Sequence, residues 1–103
     1  MRRLVSLSMA MGLIASAGSA FADPEMLRKY NCVACHSNER KIVGPSYKDI
    51  AAKYSADTGA AEKLARKIRE GGAGIWGQMP MPANPQMSAA DALTLARYVL
   101  TIK

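Results

Sequence analysis

A pair of cysteines three residues apart, followed at once by a histidine, is the feature that most restricts what this chain can fold into. The stretch reads Cys-Val-Ala-Cys-His from Cys32 to His36, and the chain contains no other cysteine or histidine. Three chemistries use such a pair of cysteines: zinc binding, dithiol exchange and covalent haem attachment. The rest of the sequence has to decide among them.

The first 22 residues have the composition of a secretory signal peptide. Arg2 and Arg3 precede an apolar run, and the segment ends on an Ala-Phe-Ala tripeptide at residues 20–22. A membrane anchor is the alternative, but serine and glycine interrupt the run, which is shorter than the ~20 residues of a spanning helix. We therefore expect cleavage after Ala22, export to the periplasm, no membrane insertion after cleavage, and a mature domain of residues 23–103.

The expected mature domain is small and mildly basic. It has 81 residues, a size at which a hydrophobic core alone is only marginally stabilising. Without Arg2 and Arg3 it carries twelve basic and eight acidic residues, which gives a formal charge of +4. The basic residues come singly or in pairs, which does not favour a nucleic-acid-binding arm. The domain is therefore expected to need a stabilising cofactor or cross-link, and no nucleic-acid partner is expected.

Helical patterns account for most of the mature domain. The signals are N-terminal caps, an apolar period near 3.6 residues and glycines after the last periodic residue. No segment shows the alternation of a strand, so the sequence predicts an all-α fold. The predicted helices lie at about 23–30, 46–54, within 56–72 and at 88–103, with Ser46 and Ser88 as caps. On the last helix the residues expected to face the core are Leu93, Ala96, Tyr98 and Leu100.

One long segment has no periodic pattern. Residues 71–87 contain four glycines and three prolines in 17 residues. A structureless loop of this length in a small domain is usually functional. The sequence therefore predicts a functional loop here, and this loop contains Met79 and Met81.

The pattern of helices chooses among the three chemistries of the cysteine pair. Structural zinc needs four ligands, and the chain has no second cysteine or histidine pair. Dithiol exchange places the cysteines at the start of a helix that follows a strand, whereas here a short helix precedes them. Haem attachment uses every residue: Cys32 and Cys35 form thioethers with the two vinyl groups, and His36 binds the iron. The sequence therefore predicts one covalent haem c.

The residues alone leave the second axial position of the iron open. Because the chain has one histidine, the candidates are a methionine, a lysine or no side chain at all. Met79 and Met81 follow His36 by about 45 residues, which is enough chain to reach the other haem face. Met26 is tied to the cysteine segment, and Met87 adjoins the last helix and is equally well explained as a core residue.

Four stretches, in order and spacing, resemble the short bacterial class I cytochromes c of the c-551/c-552 group. They are CVACH, KIVGPSYKDIAAKY, IWGQMPMPAN and LARYVL. The resemblance covers nearly all of residues 23–103 and implies the small class I cytochrome c fold, about four helices wrapped around one covalently bound haem. In that family the methionine of the Pro-Met-Pro motif is an axial ligand, which implies Met81, with Met79 as the alternative.

Other positions carry over from the same resemblance. It implies that the Pro45 carbonyl accepts a ring N–H of His36, that the Trp76 indole reaches a haem propionate, and that Asn84 hydrogen-bonds the ligand sulfur. The simpler interpretations are a turn proline, a buried tryptophan and a turn-forming Asn-Pro pair. Lys67 stands where the family often has an arginine that pairs with a propionate, and its simpler interpretation is a solvated lysine.

An iron bound by histidine and methionine has no open position for a substrate. The expected function is therefore one-electron carriage and not enzyme catalysis: a soluble, monomeric periplasmic carrier between components of a respiratory chain. Terminal oxidase, nitrite reductase or cytochrome peroxidase would suit as partners. The alternatives are a haem subunit dedicated to one enzyme, or a ligand-binding sensor with an open sixth site. Sensors usually carry the cysteine motif near the C-terminus, and the lack of a linker at either end favours a diffusing carrier.

Overall fold

The computed structural model describes residues 24–103, so the predicted signal peptide and Asp23 lie outside the described residues. Within this range the helices are α1 (Pro24–Lys29), α2 (Tyr47–Lys53), α3 (Ala60–Glu70) and α4 (Ala89–Leu100). A 3₁₀ turn spans Cys32–Ala34, and two strands, β1 (Gly72–Gly74) and β2 (Gly77–Met81), follow α3. No helix in this part of the chain is both long and apolar enough to cross a membrane.

Both predicted helix caps form. The Ser46 hydroxyl oxygen accepts a hydrogen bond from the Asp49 backbone N–H at 3.1 Å, and the Ser88 oxygen accepts one from Asp91 at 3.0 Å. A cap of this kind contributes roughly 1 kcal/mol. The Asp91 carboxylate accepts a hydrogen bond from the Tyr30 hydroxyl, so the start of α4 is tied to the end of the N-terminal helix.

The core lies where α4 packs against α2 and α3. The buried face of α4 consists of residues spaced i, i+3, i+4 and i+7: Ala92, Leu95, Ala96 and Val99. The prediction for this face was right for Ala96, which is buried, and for Tyr98, which is partly buried against the core, and wrong for Leu93 and Leu100, which are only partly buried. The predicted Leu93 and Leu100 lie one residue further along the helix than the buried Ala92 and Val99, so the predicted face was rotated by about one residue. Met87, 2% exposed, belongs to this core.

The glycine- and proline-rich segment is not structureless, so that part of the prediction is wrong. β1 and β2 form an antiparallel hairpin in which Gly72 pairs with Met81 and Gly74 with Gly77. The strand pattern was hidden because glycine has no side chain that could alternate, and Gly72, Gly74 and Gly77 all adopt positive φ. The hairpin is a short ribbon on a helical domain, and the fold class remains all-α.

Candidate cofactor site

A cavity of about 600 Å³ opens on one side of the described chain, and its lining is mostly apolar. Its walls come from the cysteine segment, α2, α3, α4 and the hairpin. The predicted site residues that line it are Cys32, Cys35, His36, Pro45, Trp76 and Met81, together with Met79, the alternative iron ligand, and Lys67. Asn84 is not in this lining. The structure therefore brings nearly all of the predicted site residues to one cavity.

On the cysteine side of the cavity, which we define as residues 32–47, a tight turn gathers the three motif side chains. Asn31 adopts a left-handed conformation with φ of 59°, a conformation that asparagine tolerates, and so redirects the chain after α1. The backbone N–H groups of Cys35 and His36 both donate to the Cys32 carbonyl oxygen, at 3.1 and 3.0 Å. The two cysteines form no disulfide bond with each other. Burial raises the pKa of the Cys32 thiol, which disfavours the thiolate.

The His36 ring is oriented by three neighbours. Its Nδ1 lies 2.7 Å from the carbonyl oxygen of Pro45. Because a carbonyl oxygen can only accept, Nδ1 carries the hydrogen and Nε2 keeps a lone pair for a metal ion. A Cβ atom at Gly44 would lie 2.5 Å from Cε1 of the ring, so only glycine fits there. The Tyr47 ring contacts the imidazole at a centroid distance of 5.5 Å.

Short backbone hydrogen bonds fix the loop that carries the Pro45 carbonyl. The Gly44 N–H donates to the Cys35 carbonyl oxygen at 2.8 Å, and the Tyr47 N–H donates to the Ser37 carbonyl oxygen at the same distance. The Pro45 carbonyl, which accepts the hydrogen bond from His36, is thus held in place by residues close to it in sequence.

On the methionine side of the cavity, which we define as residues 72–82, two thioethers share one face of β2. Alternate residues of a strand point the same way, and both Met79 and Met81 line the cavity. Met79 is 69% exposed, whereas Met81 is partly buried and paired with Gly72 in the hairpin. Met81 is therefore the more enclosed of the two candidate ligands.

Gly71 determines where the methionine side crosses the end of α3. It adopts φ of 69°, and a Cβ atom there would lie 2.4 Å from the Met81 carbonyl oxygen and 2.8 Å from the Ala83 nitrogen. The position requires glycine twice, for its backbone conformation and for the close approach of two backbone segments.

The three remaining predicted residues differ in their contacts. Trp76 lies in the turn of the hairpin, lines the cavity and is 42% exposed, so it is not an ordinary buried tryptophan. Lys67 lines the cavity, and its Nζ lies 3.5 Å from the Ala73 carbonyl oxygen. The Asn84 side-chain amide donates to the Ile68 carbonyl oxygen at 2.9 Å. That bond occupies one of its two amide hydrogens, so only the other could reach a ligand sulfur.

Sequence reasoning missed Gly44, Gly71 and Tyr47 as residues that shape the cavity. The Gly-Pro pair at residues 44–45 was read as a turn, but the contact with the imidazole depends on the folded loop. Tyr47 lines the cavity, and its buried hydroxyl has no hydrogen-bond partner in the described chain. Burial also raises the pKa of this phenol. A buried hydroxyl without a partner is costly, which indicates that an occupant of the cavity or a bound water completes the site.

The residues present fit one haem c. Two cysteine side chains lie beside an imidazole whose Nε2 is available, an apolar cavity adjoins them, and thioether side chains line the same cavity. Comparison with known proteins decides the family: the cytochrome c family model matches residues 16–103.

The chain belongs to the cytochrome c family. It is 54% identical over 87 residues to cytochrome c-552 of Nitrosomonas europaea, a match that covers 84% of each chain. It is 46% identical over 101 residues to cytochrome c-551 of Pseudomonas aeruginosa, covering 97% of this chain and 95% of that one. The crystal structure of Nitrosomonas europaea cytochrome c552 superposes with a TM-score of 0.76 at 53% identity, covering 79% of this chain and all (100%) of that one.

These matches confirm the resemblance to the c-551/c-552 group and the class I cytochrome c fold. As a small cytochrome c, the chain carries one covalently attached haem c, and Cys32 and Cys35 are its two cysteines. The family consists of electron carriers that are generally not enzymes.

Proposed function

We propose that this cytochrome c is a periplasmic one-electron carrier in which His36 and Met81 bind the two axial positions of the haem iron. The observation that carries the proposal is the shared cavity: an imidazole with Nδ1 hydrogen-bonded to Pro45 and the more enclosed of two methionines line the same space. When bound, haem c supplies a one-electron iron couple, which methionine ligation shifts toward the reduced state relative to a second histidine.

The side chains around the cavity have distinct roles in this proposal. Cys32 and Cys35 hold the cofactor by thioether bonds. The Pro45 carbonyl fixes the tautomer of His36 and strengthens Nε2 as a donor. Met81 supplies a soft sulfur ligand.

Three further residues tune the site. Trp76 directs its indole N–H to a propionate, and the free amide hydrogen of Asn84 donates to the ligand sulfur. Lys67 adds a positive charge to the cavity lining.

Electron carriage follows from a closed coordination sphere. If His36 and Met81 both hold the iron, no position would be left for a substrate, so the protein would transfer electrons without making or breaking substrate bonds. A sensor would need an open position, which rapid binding of carbon monoxide would reveal.

The location in the periplasm rests on the N-terminal sequence. We propose that residues 1–22 are a signal peptide removed after Ala22, and that residues 23–103 form a monomeric mature domain. Intact mass of the protein exported by a bacterial host should match a chain beginning at Asp23 with one haem attached. A mass that retains the first 22 residues would contradict the processing step.

The test of the function is an absorption spectrum of the purified protein in both redox states, including the near-infrared region. We expect a reversible one-electron titration, a methionine-to-iron band in the oxidised protein, and slow binding of carbon monoxide by the reduced protein. Rapid carbon monoxide binding would identify a sensor with an open site. Stable co-purification with one enzyme would instead identify a dedicated subunit.

Partner docking is proposed at the cavity edge, around Val33, Ala34 and Pro82, all of which are exposed. A carrier must release its partner within each turnover, which suits a small interface. The +4 charge of the expected mature domain favours an acidic partner, and this attraction fades with salt over a Debye length of about 8 Å at physiological ionic strength. Stopped-flow electron transfer to a terminal oxidase or nitrite reductase should slow as salt rises. A flat or rising rate would leave apolar contact as the docking force.

A further inference from the structure

The turn of the hairpin has few neighbours that could hold it in place. Trp76 lies between Gly74 and Gly77, which adopt φ of 135° and 114°. A Cβ atom added at either glycine would meet no other atom within 4 Å, so the backbone of the turn is open on these sides. Glycine allows many backbone conformations, so contacts from outside the turn, in addition to the proposed bond from the indole to a propionate, are needed to keep the indole in one position at the cavity.

Lys53 provides a contact of this kind from another element. It is the last residue of α2, and its Nζ lies over the Trp76 ring, 5.4 Å from the ring centroid. This distance is within the range of about 6 Å in which a cation is attracted to the face of an indole. Trp76 lines the cavity and Lys53 does not, so the lysine acts on the cavity through the ring.

A second lysine contacts strand β1 of the hairpin. The Lys67 Nζ lies 3.5 Å from the Ala73 carbonyl oxygen, a long hydrogen bond from α3. The two contacts come from different helices and fall on different parts of the hairpin. The effects of substituting Lys53 and Lys67 can therefore be distinguished by the part of the hairpin in which they appear.

We propose that Lys53 is a positioning residue, which holds the Trp76 indole at the cavity by a cation–π contact and so fastens the turn of the hairpin to α2. The role goes beyond electron carriage by the haem, and it does not depend on which methionine binds the iron. Removing the charge should allow the turn to open more often. The magnitude of cation–π contacts at exposed sites predicts about a two- to fivefold increase in the opening equilibrium.

The experiment measures exchange of the Trp76 indole N–H with water in the ¹⁵N-labelled holoprotein by NMR. The chain has one tryptophan, so the indole signal is unique. Lys53→Met removes the charge and keeps an aliphatic side chain, whereas Lys53→Arg keeps a cation that can lie on the ring. Lys48→Met is the matched control, because Lys48 is exposed on the same helix and the substitution removes the same charge.

We expect Lys53→Met to accelerate indole exchange about two- to fivefold, Lys53→Arg to restore the slow rate, and Lys48→Met to change nothing. Lys67→Met should act instead on the amide protons near Ala73. Equal rates in Lys53→Met and the unsubstituted protein would overturn the proposal, as would equal acceleration by Lys48→Met. If Lys53→Met fails to fold, Lys53→Gln replaces it, and failure of both would also contradict a role limited to positioning the turn. The near-infrared spectrum of each variant reports the iron ligands separately.

Discussion

The cysteine side of the cavity is held by hydrogen bonds within its own loop, whereas the methionine side also depends on contacts with α2 and α3, from Lys53, Lys67 and Gly71. His36 meets the Pro45 carbonyl at 2.7 Å, and Gly44 donates to Cys35 at 2.8 Å. The hairpin has two paired positions, glycines of positive φ, and a crossing with α3 at Gly71. Of the two proposed iron ligands, His36 is thus positioned by bonds within its own loop, whereas the position of Met81 also depends on how the hairpin meets α3.

This difference predicts how each side responds to change. A substitution on the cysteine side should change the position of the imidazole and leave the contacts between the hairpin and the helices in place. A substitution at Gly71, where residues 81–83 cross the end of α3, should displace Met81 and lower the free energy of unfolding. The predictions below test this contrast, beginning with the largest effect.

Loss of haem should affect the protein most. We expect Cys32→Ala/Cys35→Ala, made without bound haem, to lose most of its helical circular dichroism, because the walls of an unfilled apolar cavity have little else to pack against. Any residual protection from hydrogen exchange should lie on the cysteine side. A compact, helical apoprotein with near-native hydrogen exchange would contradict the account.

Alanine at the two glycines in close contact with other residues, Gly44 and Gly71, should separate the two sides. At Gly71 a Cβ atom would strain a positive φ and meet the backbone of Met81, so Gly71→Ala should lower the free energy of unfolding by about 2–3 kcal/mol and weaken the methionine-to-iron band. At Gly44 the clash is with the His36 ring, so Gly44→Ala should cost about 1–3 kcal/mol and shift the imidazole NMR signals.

The control for both substitutions is Gly59→Ala. Gly59 has a negative φ of −97°, and the nearest atom to an added Cβ is a side-chain oxygen at 3.5 Å. Because Gly59 is the N-cap of α3 and alanine is a poorer cap, denaturant unfolding should show only a small loss, of about 0.5–1 kcal/mol. Equal losses at Gly44, Gly59 and Gly71 would show that the close contacts do not determine the cost.

A much smaller effect is expected at Asp57, which belongs to neither side as defined. Its carboxylate accepts hydrogen bonds from Lys63 at 2.7 Å and from the Gly59 N–H at 2.8 Å. The bond from Lys63 is the main cause of the lowered pKa of this carboxyl. A lowered folded pKa stabilises the protein above the ordinary Asp value of 3.8, and this contribution is lost as pH falls through the folded pKa.

We therefore expect Asp57→Asn to be slightly less stable than the unsubstituted protein at neutral pH, and the gap to close under acid conditions. Unfolding curves measured across that pH range provide the test. A gap that widens on acidification would show that the ion pair is not its source.

Features set by neighbouring residues could be predicted from the sequence. The Cys32–His36 motif and the caps at Ser46 and Ser88 depend on short spacings, and they appear in the structure at the expected residues. The resemblance to a family supplied Pro45 as the acceptor for the imidazole, and the two atoms lie within hydrogen-bond distance.

Features that depend on distant contacts could not be predicted. The hairpin was missed because glycines hide its alternation, and its register depends on the crossing at Gly71. The partner of Asn84 is a carbonyl at the end of α3, which no local pattern indicates. The buried face of α4 was partly misassigned because packing against α2 and α3, and not the pattern within α4 alone, decides which side of the helix is buried.

The central claim is that Met81, and not Met79, is the sulfur ligand opposite His36. The most direct test is the near-infrared spectrum of the oxidised Met81→Ala and Met79→Ala holoproteins, recorded together. We predict that Met81→Ala abolishes the methionine-to-iron band, lowers the reduction potential and allows rapid binding of cyanide or carbon monoxide, because the iron loses its soft ligand. Met79→Ala should keep the band. A band that survives in Met81→Ala and disappears in Met79→Ala would contradict the assignment.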